Sequence, residues 1–385
     1  MLSGLAFDLM TDFDVLIVTS RQLINDARAM LPAHEQIGGV DVHRVWSTSF
    51  GRGRLALRVL DYLSFYVSAL WLVRRLVGPG DVVVAKTDPP MLSVAIALAL
   101  QGKDAHQINW LQDVFPEVAS ALGLIKRGSR LERWLLRARN RSLRNAFANV
   151  VLSEGMGALV AGTSAAPVTV IPNWADGQAV NEQADAVAEV IRAQWGVGQK
   201  LVIGYCGNFG RVHDFHTLLE AATLLQDRQV EFVLVGDGVQ RQTLLDGIKH
   251  RALSNVRIYP AEPEPRLGGL LRAVDVHAVT LARPLENLVV PSKLYGVLAA
   301  GRPVLYVGEA AGDIGRLLKD YACGAAVQVG DGHGAARAIE YFLHQPEHRA
   351  GMGRRARALF EARFERRVAA ASWRELLREL LKAAV

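Results

Sequence analysis

The chain has 385 residues, half of them hydrophobic, and a net charge of +6 at neutral pH. That length suits about two ordinary domains with sizeable cores, and two cysteines, Cys206 and Cys323, exclude a disulfide framework. The basic balance favours anionic partners (phosphates, acidic lipid or nucleic acid) without choosing among them, and a solvated surface excess is the plain alternative.

No basic region followed by an apolar core opens the chain, so no signal peptide is expected. The most apolar stretch, 59–73, carries Asp61 and is too short to span a bilayer. A reduced, cytoplasmic protein is therefore expected.

Residues 4–10 read as the end of a helix and 15–19 as the first clear strand. A doubly wound domain ordinarily begins with a strand and a glycine-rich turn, so we expect the first domain to lack its first strand and loop. A strand over 40–46, a polar loop over 47–54 and a long apolar helix over 55–77 follow, the helix stopped by Pro79-Gly80. Further strands are predicted over 81–85, 106–110, 150–152 and 168–171, with a helix over 91–100. After a polar, helix-like stretch over 181–195 the pattern restarts. Strands are predicted over 201–205, 231–235, 256–259, 274–279, 303–307 and 325–329, with helices over 217–225, 240–250 and 292–300. The final helix, 369–383, is amphipathic and basic. Such alternation predicts parallel sheets covered by helices on both faces, divided into domains over 1–178 and 179–365 and a carboxy-terminal helix over 366–385.

The sharpest local signal is Gly204-Tyr205-Cys206-Gly207-Asn208-Phe209-Gly210-Arg211, between a strand and a helix. Glycines let backbone amides approach an anion, a helix start adds partial positive charge, and Arg211 can add a bidentate phosphate contact. A tight turn needing positive φ at Gly207 and Gly210 is the structural alternative. Val235-Gly236-Asp237-Gly238 is a second turn at a strand's carboxyl end, where ligands of open α/β sheets bind; a plain turn competes. Pro291-Ser292-Lys293-Leu294-Tyr295-Gly296 opens a helix, with Ser292 a natural N-cap. Lys293 in the first turn opposes the helix dipole, a conflict that an anionic ligand would relieve, unless the lysine simply faces solvent. Gly301 reads as a left-handed C-cap.

In the first half, Asn109-Trp110-Leu111-Gln112-Asp113-Val114-Phe115-Pro116-Glu117 sits at a strand's carboxyl end. Asp113 and Glu117 can bind an acceptor hydroxyl or shift its proton; helix capping by Asp113 and a solvated Glu117 are the competing roles. Asp88, between Thr87 and Pro89, occupies the same kind of position. The basic stretch 126–144 interleaves seven arginines with Leu131, Trp134, Leu135 and Leu143. An apolar stripe among arginines suits an anionic membrane surface, against which the 55–77 helix can also lie, unless the basic helix merely covers the core. No recognised nucleic-acid-binding fold accompanies the patch, so nucleic acid is not the expected partner.

Taken together, the segments 110–117, 171–176, 204–211, 235–238 and 291–304 make the chain resemble glycosyltransferase family 4, within it the bacterial transferases of surface-polysaccharide assembly. The resemblance implies the GT-B fold: two Rossmann-like doubly wound domains facing across a cleft. It implies retaining transfer from a nucleotide diphosphate-sugar without a metal or other cofactor. The second domain would hold the donor through Gly207, Asn208, Gly210, Arg211, Gly236, Asp237, Glu286, Ser292 and Lys293. The first would receive a saccharide or lipid-linked acceptor through Asp88, Asp113 and Glu117, peripherally at the inner membrane face. Asp113, Arg211 and Lys293 are the expected catalytic groups, the two cations steadying the leaving group. The family's two glutamates fall on Leu288 and Gly296, with Glu286 near the first, and its phosphate-binding Arg and Lys fall on Asn208 and His213. Those departures keep a catalytically silent partner subunit open; a nucleotide-sugar epimerase and a basic nucleic-acid-binding protein are further alternatives.

Overall fold

The computed structural model describes residues 1–22, 30–50, 55–180 and 183–383. Parts of three expectations lie outside them: the loop over 47–54 from residue 51 onward, the first two residues of the 181–195 stretch, and the end of the carboxy-terminal helix. Contacts divide the chain into two compact units. One is Met1–Pro172 with the tail from Ala370, the other Asn173–Ala369.

The first unit holds β1 (Leu16–Ser20), β2 (His34–Ile37), β3 (Val40–Val45), β4 (Val82–Lys86), β5 (His106–Trp110), β6 (Ala148–Val151) and β7 (Val168–Val170). They form two sheets, β1-β3-β2 and β4-β5-β6-β7. All pairings are parallel except the β2–β3 hairpin. Polar β2 carries no apolar run and escaped prediction. β5 and β6 are held in register by buried amides as well as by backbone. Gln107 Nε2 donates to Asn109 Oδ1 at 2.6 Å, and Asn109 Nδ2 to Asn149 Oδ1 at 2.8 Å.

The Leu55–Leu76 helix buries Val73 against Ala85, Ile96 and Ala99, a cluster that both Val18 of β1 and Val83 of β4 also touch. Its other side leaves Leu60, Leu63, Val67 and Trp71 in solvent, a second apolar stripe at helical spacing. The Arg130–Asn145 helix begins where the Ser129 side chain accepts from Glu132 N, an ordinary N-cap. It buries Glu132, Arg139, Ser142 and Leu143, so the expected apolar stripe is divided, with Leu143 turned inward. Leu131 and Trp134 instead stand exposed among Arg130, Arg133, Arg137 and Arg141. Among the described residues no helix is long and apolar enough to cross a membrane. The Arg366–Ala383 helix seats Trp373 edge-on to Trp110 with ring centres 5.1 Å apart, and Arg374 Nε reaches Asp12 at 2.6 Å.

The second unit contains β8 (Leu201–Cys206), β9 (Val230–Val235), β10 (Val256–Tyr259), β11 (Val276–Thr280), β12 (Val304–Val307) and β13 (Gly324–Val327). They make one six-stranded parallel sheet, ordered β10-β9-β8-β11-β12-β13. Side chains alternate between two cores, as a pleated strand buried on both faces requires. Leu201, Ile203 and Tyr205 enter one with Phe209, Phe215 and Phe232, while Val202, Val233 and Val235 enter the other with Ile191 and Trp195. The chain runs outward from β8 to β10, then returns to lay β11 on the other side of β8. Ligands of open α/β sheets collect at the carboxyl ends beside such a reversal.

Candidate functional site

A cavity of about 310 Å³ lies beside that reversal, within the second unit. Its wall runs from Cys206 and Gly207 past β8, through Val235 and Glu262, to Ser292, Lys293 and Gly296. The volume is at the small end of ligand pockets, and the lining is largely apolar with few polar groups, as such pockets usually are. Glu262 is paired with Arg266 at 3.0 Å, and among the described residues the lining cation Lys293 has no carboxylate partner.

Local sequence explains the rim. Gly207 has φ +131 and Gly236 φ +146, values that side-chain-bearing residues avoid. A Cβ on Gly236 would lie 2.0 Å from the Gly207 carbonyl oxygen, so the turns after β8 and β9 touch backbone to backbone. Gly207 N donates to Val235 O at 2.8 Å and Phe209 N to Asp237 O at 2.7 Å. A Cβ on Gly207 would meet Lys293 Cε at 2.6 Å, so the bare backbone there is what admits the lysine.

Lys293 is half-buried, its ammonium 4.9 Å from the centre of the Tyr205 ring and 2.9 Å from His213 Nε2. Burial lowers its pKa to about 8, because the charged form loses hydration. Burial, then the neighbouring lysine charge, takes His213 down to about 4. The other ring nitrogen of His213 lies 2.8 Å from Thr280 O. A neutral imidazole satisfies both contacts only with Nδ1 donating to the carbonyl and Nε2 accepting from Lys293.

The remaining expected donor residues are spread more widely. Asn208 and Asp237 are exposed on the adjoining turns, Asp237 Oδ1 accepting from Gly238 N at 2.8 Å. Gly210 lacks the positive φ that a second tight turn would need, and Arg211 is exposed beyond it, outside the cavity wall. The helix after this loop, His216–Leu224, starts five residues later, and Asp214 Oδ1 accepts from Thr217 N at 3.1 Å. A carboxylate of the chain itself thus occupies the helix start that an anion was expected to use. Ser292 stands at the N-cap position of Lys293–Ala299 but makes no side-chain cap bond. Glu286 lies off the cavity, accepts from the Tyr306 hydroxyl at 3.2 Å and is raised mainly by burial.

The first unit gathers Lys86, Asp88 and Asp113 at the carboxyl ends of β4 and β5. Thr87 joins the two loops: its N donates to Trp110 O at 3.0 Å and its Oγ1 accepts from Gln112 N at 3.0 Å. Lys86 Nζ lies 3.7 Å from Asp88 Oδ2. Asp113 is exposed at the surface, although protein crowds its carboxyl from several sides. Lost hydration, then the Asp88 charge, pushes its carboxyl up to about 6, while Lys86 pulls it down. Glu117, expected to bind the acceptor or else to be solvated, pairs with buried Arg139 and so ties the Glu117–Ala121 helix to Arg130–Asn145. No group of three or more metal-ligating side chains occurs among the described residues.

Comparison with known proteins matches residues 187–359 to the glycosyl transferases group 1 model and residues 9–174 to a glycosyl transferase 4-like domain. WbjE of Pseudomonas aeruginosa, described as a glycosyltransferase, is 30% identical over 267 residues, 68% of this chain and 66% of that protein. WcaI of Escherichia coli K12, described as a colanic acid biosynthesis glycosyl transferase, is 28% identical over 273 residues, 69% of this chain and 66% of its own. The aligned region thus spans just under two thirds of these relatives. Among solved structures, Anabaena HepE in complex with UDP superposes with a TM-score of 0.69 at 19% identity, over 89% of this chain and 87% of that one.

Proposed function

The chain belongs to the group 1 glycosyl transferases, on a GT-B fold of two Rossmann-like units, and from that premise we propose that it transfers a sugar from a nucleotide diphosphate-sugar to a saccharide acceptor in surface-polysaccharide assembly. The observation that carries the reading is Lys293, a half-buried ammonium without a carboxylate partner at the wall of a largely apolar cavity beside the sheet reversal. The nucleoside enters the cavity, and its diphosphate lies against Gly207 and Lys293. HepE was solved with UDP and with UDP-glucose, which supports a nucleotide-sugar for this chain too. WcaI supports the polysaccharide setting.

The amino-terminal unit presents the acceptor hydroxyl to Asp113. The anomeric carbon–oxygen bond to the diphosphate breaks, a bond to the acceptor oxygen forms on the same face, and the hydroxyl proton passes to Asp113. Lys293 stabilises the charge that builds on the leaving phosphate oxygen, a fixed cation matched to the transition state. The acceptor is lipid-linked, and the unit rests on the anionic inner membrane face. The exposed stripe of Leu55–Leu76 and the arginine and tryptophan face of Arg130–Asn145 support this.

Titration of the purified chain with a panel of nucleoside diphosphates and nucleotide-sugars, read by calorimetry, tests the donor assignment. Micromolar binding of at least one is expected; binding of none overturns it. One observation favours a second reading, binding without turnover: Gly296, where the family places a glutamate, lines the cavity and offers no side chain. A nucleotide-sugar that binds but is never cleaved with any acceptor would select that reading.

A further inference from the structure

We propose that His213 is a positioning residue whose task is to hold Lys293 at the Gly207 turn while leaving the lysine's charge uncancelled. The inference rests on the donor reading above and names a partner of that same cation. Lysines at a protein surface are ordinarily held by carboxylates, which fix the ammonium but neutralise it. Here the acceptor is an imidazole. Thr280 O, 2.8 Å from Nδ1, takes the ring's one proton, so Nε2 offers a lone pair to Lys293 Nζ at 2.9 Å. The ring cannot turn away easily. It stands edge-on to Tyr205 and Phe215, with ring centres at 5.5 and 6.2 Å, and its backbone carbonyl accepts from Gln240 Nε2 at 3.0 Å.

The groups beside the ammonium, His213, Tyr205 and the Cys206 thiol, are all neutral near pH 7. His213 stays unprotonated down to about pH 4. Tyr205, whose ring lies under the ammonium, is pushed well above its usual range, and the Cys206 thiol up to about 12, both by burial. Among the described residues no carboxylate pairs with Lys293. The cluster is therefore a fixed point charge that no carboxylate cancels, lying against the bare backbone of Gly207. An anion docked there meets a cation already oriented, and need not first displace a carboxylate.

Three replacements of His213 separate holding from neutralising. His213→Gln keeps a neutral acceptor, His213→Leu removes the acceptor, and His213→Glu supplies an acceptor that cancels the charge. Affinity for the tightest-binding nucleoside diphosphate of the panel is read by calorimetry at pH 7, with each variant's thermal midpoint alongside. We expect the glutamine variant within about threefold of the unaltered chain, the leucine variant about tenfold weaker and the glutamate variant weaker still. On a Lys293→Met background the three should bind alike, because a residue that acts through Lys293 loses its effect when Lys293 is gone. A glutamate variant that binds as tightly as the glutamine variant overturns the proposal. So does a leucine penalty that persists undiminished beside Lys293→Met. If the unaltered chain binds no nucleotide, the donor reading falls and this inference with it. If it binds and the cycle is additive, this inference alone falls.

Discussion

In the second unit β9, β11 and β12 are buried along their whole length, and one sheet joins all six strands. In the first, β1 and β4 are mostly half-buried, each ends a separate sheet, and among the described residues most of the exposed large apolar side chains belong to this unit. Both units are strand-and-helix alternations of similar length, so the contrast does not come from composition. It reflects what each surface has to meet. A continuous, deeply buried sheet with a small cavity at its reversal suits a compact ligand held by a few fixed groups. An interrupted sheet whose helices expose apolar stripes leaves a broad face that water covers poorly.

The proposed function gives donor chemistry to the second unit and acceptor chemistry to the first, and single substitutions can break that division. Lys293→Met should have the largest effect. Loss of the cation should lower kcat/KM for the nucleotide-sugar about 10²- to 10³-fold, as loss of one preorganised charge stabiliser usually does. The thermal midpoint should hold or rise, since a cation that is costly to bury is gone. A donor kcat/KM within threefold of the parent would remove the second unit's claim to the chemistry. Asp113→Asn comes next. Without a proton acceptor, kcat should fall about 10²-fold, while affinity for nucleoside diphosphate stays within twofold. If nucleotide affinity falls in parallel, the two halves do not divide the work.

Which parts of this division the sequence reveals follows from how local the cause is. Strands such as 230–235 are legible because a parallel strand buried on both faces must be nearly continuous in apolar residues. Gly207 and Lys293 are legible because a bare turn and a misplaced first-turn cation each conflict with local rules. In the sequence His213 stands out only as a departure at a family position, since its partner lies eighty residues on and meets it through folding. The ion pair of Glu117 is illegible for the same reason, because nothing near it announces Arg139. Arg211 is the converse case. It has the right charge next to the right turn, yet it is exposed beyond Gly210, off the cavity wall.

Acidity offers a third test with a smaller effect. Asp113 must be ionised to take a proton, so activity should rise with pH through about 6. Lys293 must be protonated to steady the leaving group, so activity should fall as pH passes about 8. A bell-shaped kcat/KM profile follows, losing about tenfold per pH unit beyond each limb. Asp113→Asn should erase the acidic limb alone and Lys293→Met the basic limb alone. If either variant removes the other's limb, the assignment of one group to each unit fails.

The smallest expected effect tests the broad face itself. Val67 on the Leu55–Leu76 helix and Val239 beside the second unit's turns are equally open, 69% and 67% exposed. Exposure alone therefore predicts the same outcome for Val67→Ser and Val239→Ser. If the first unit docks on anionic lipid, only Val67→Ser should matter, weakening partition onto phosphatidylglycerol vesicles about fivefold by removing apolar area from the interface. Flotation with vesicles at low and physiological salt measures it, and both variants should keep the parent's thermal midpoint because neither side chain is packed. Equal partition of the two variants would reduce the exposed stripe to surface without a partner. A loss at Val67 alone would tie the looser build of the first unit to binding at a lipid surface.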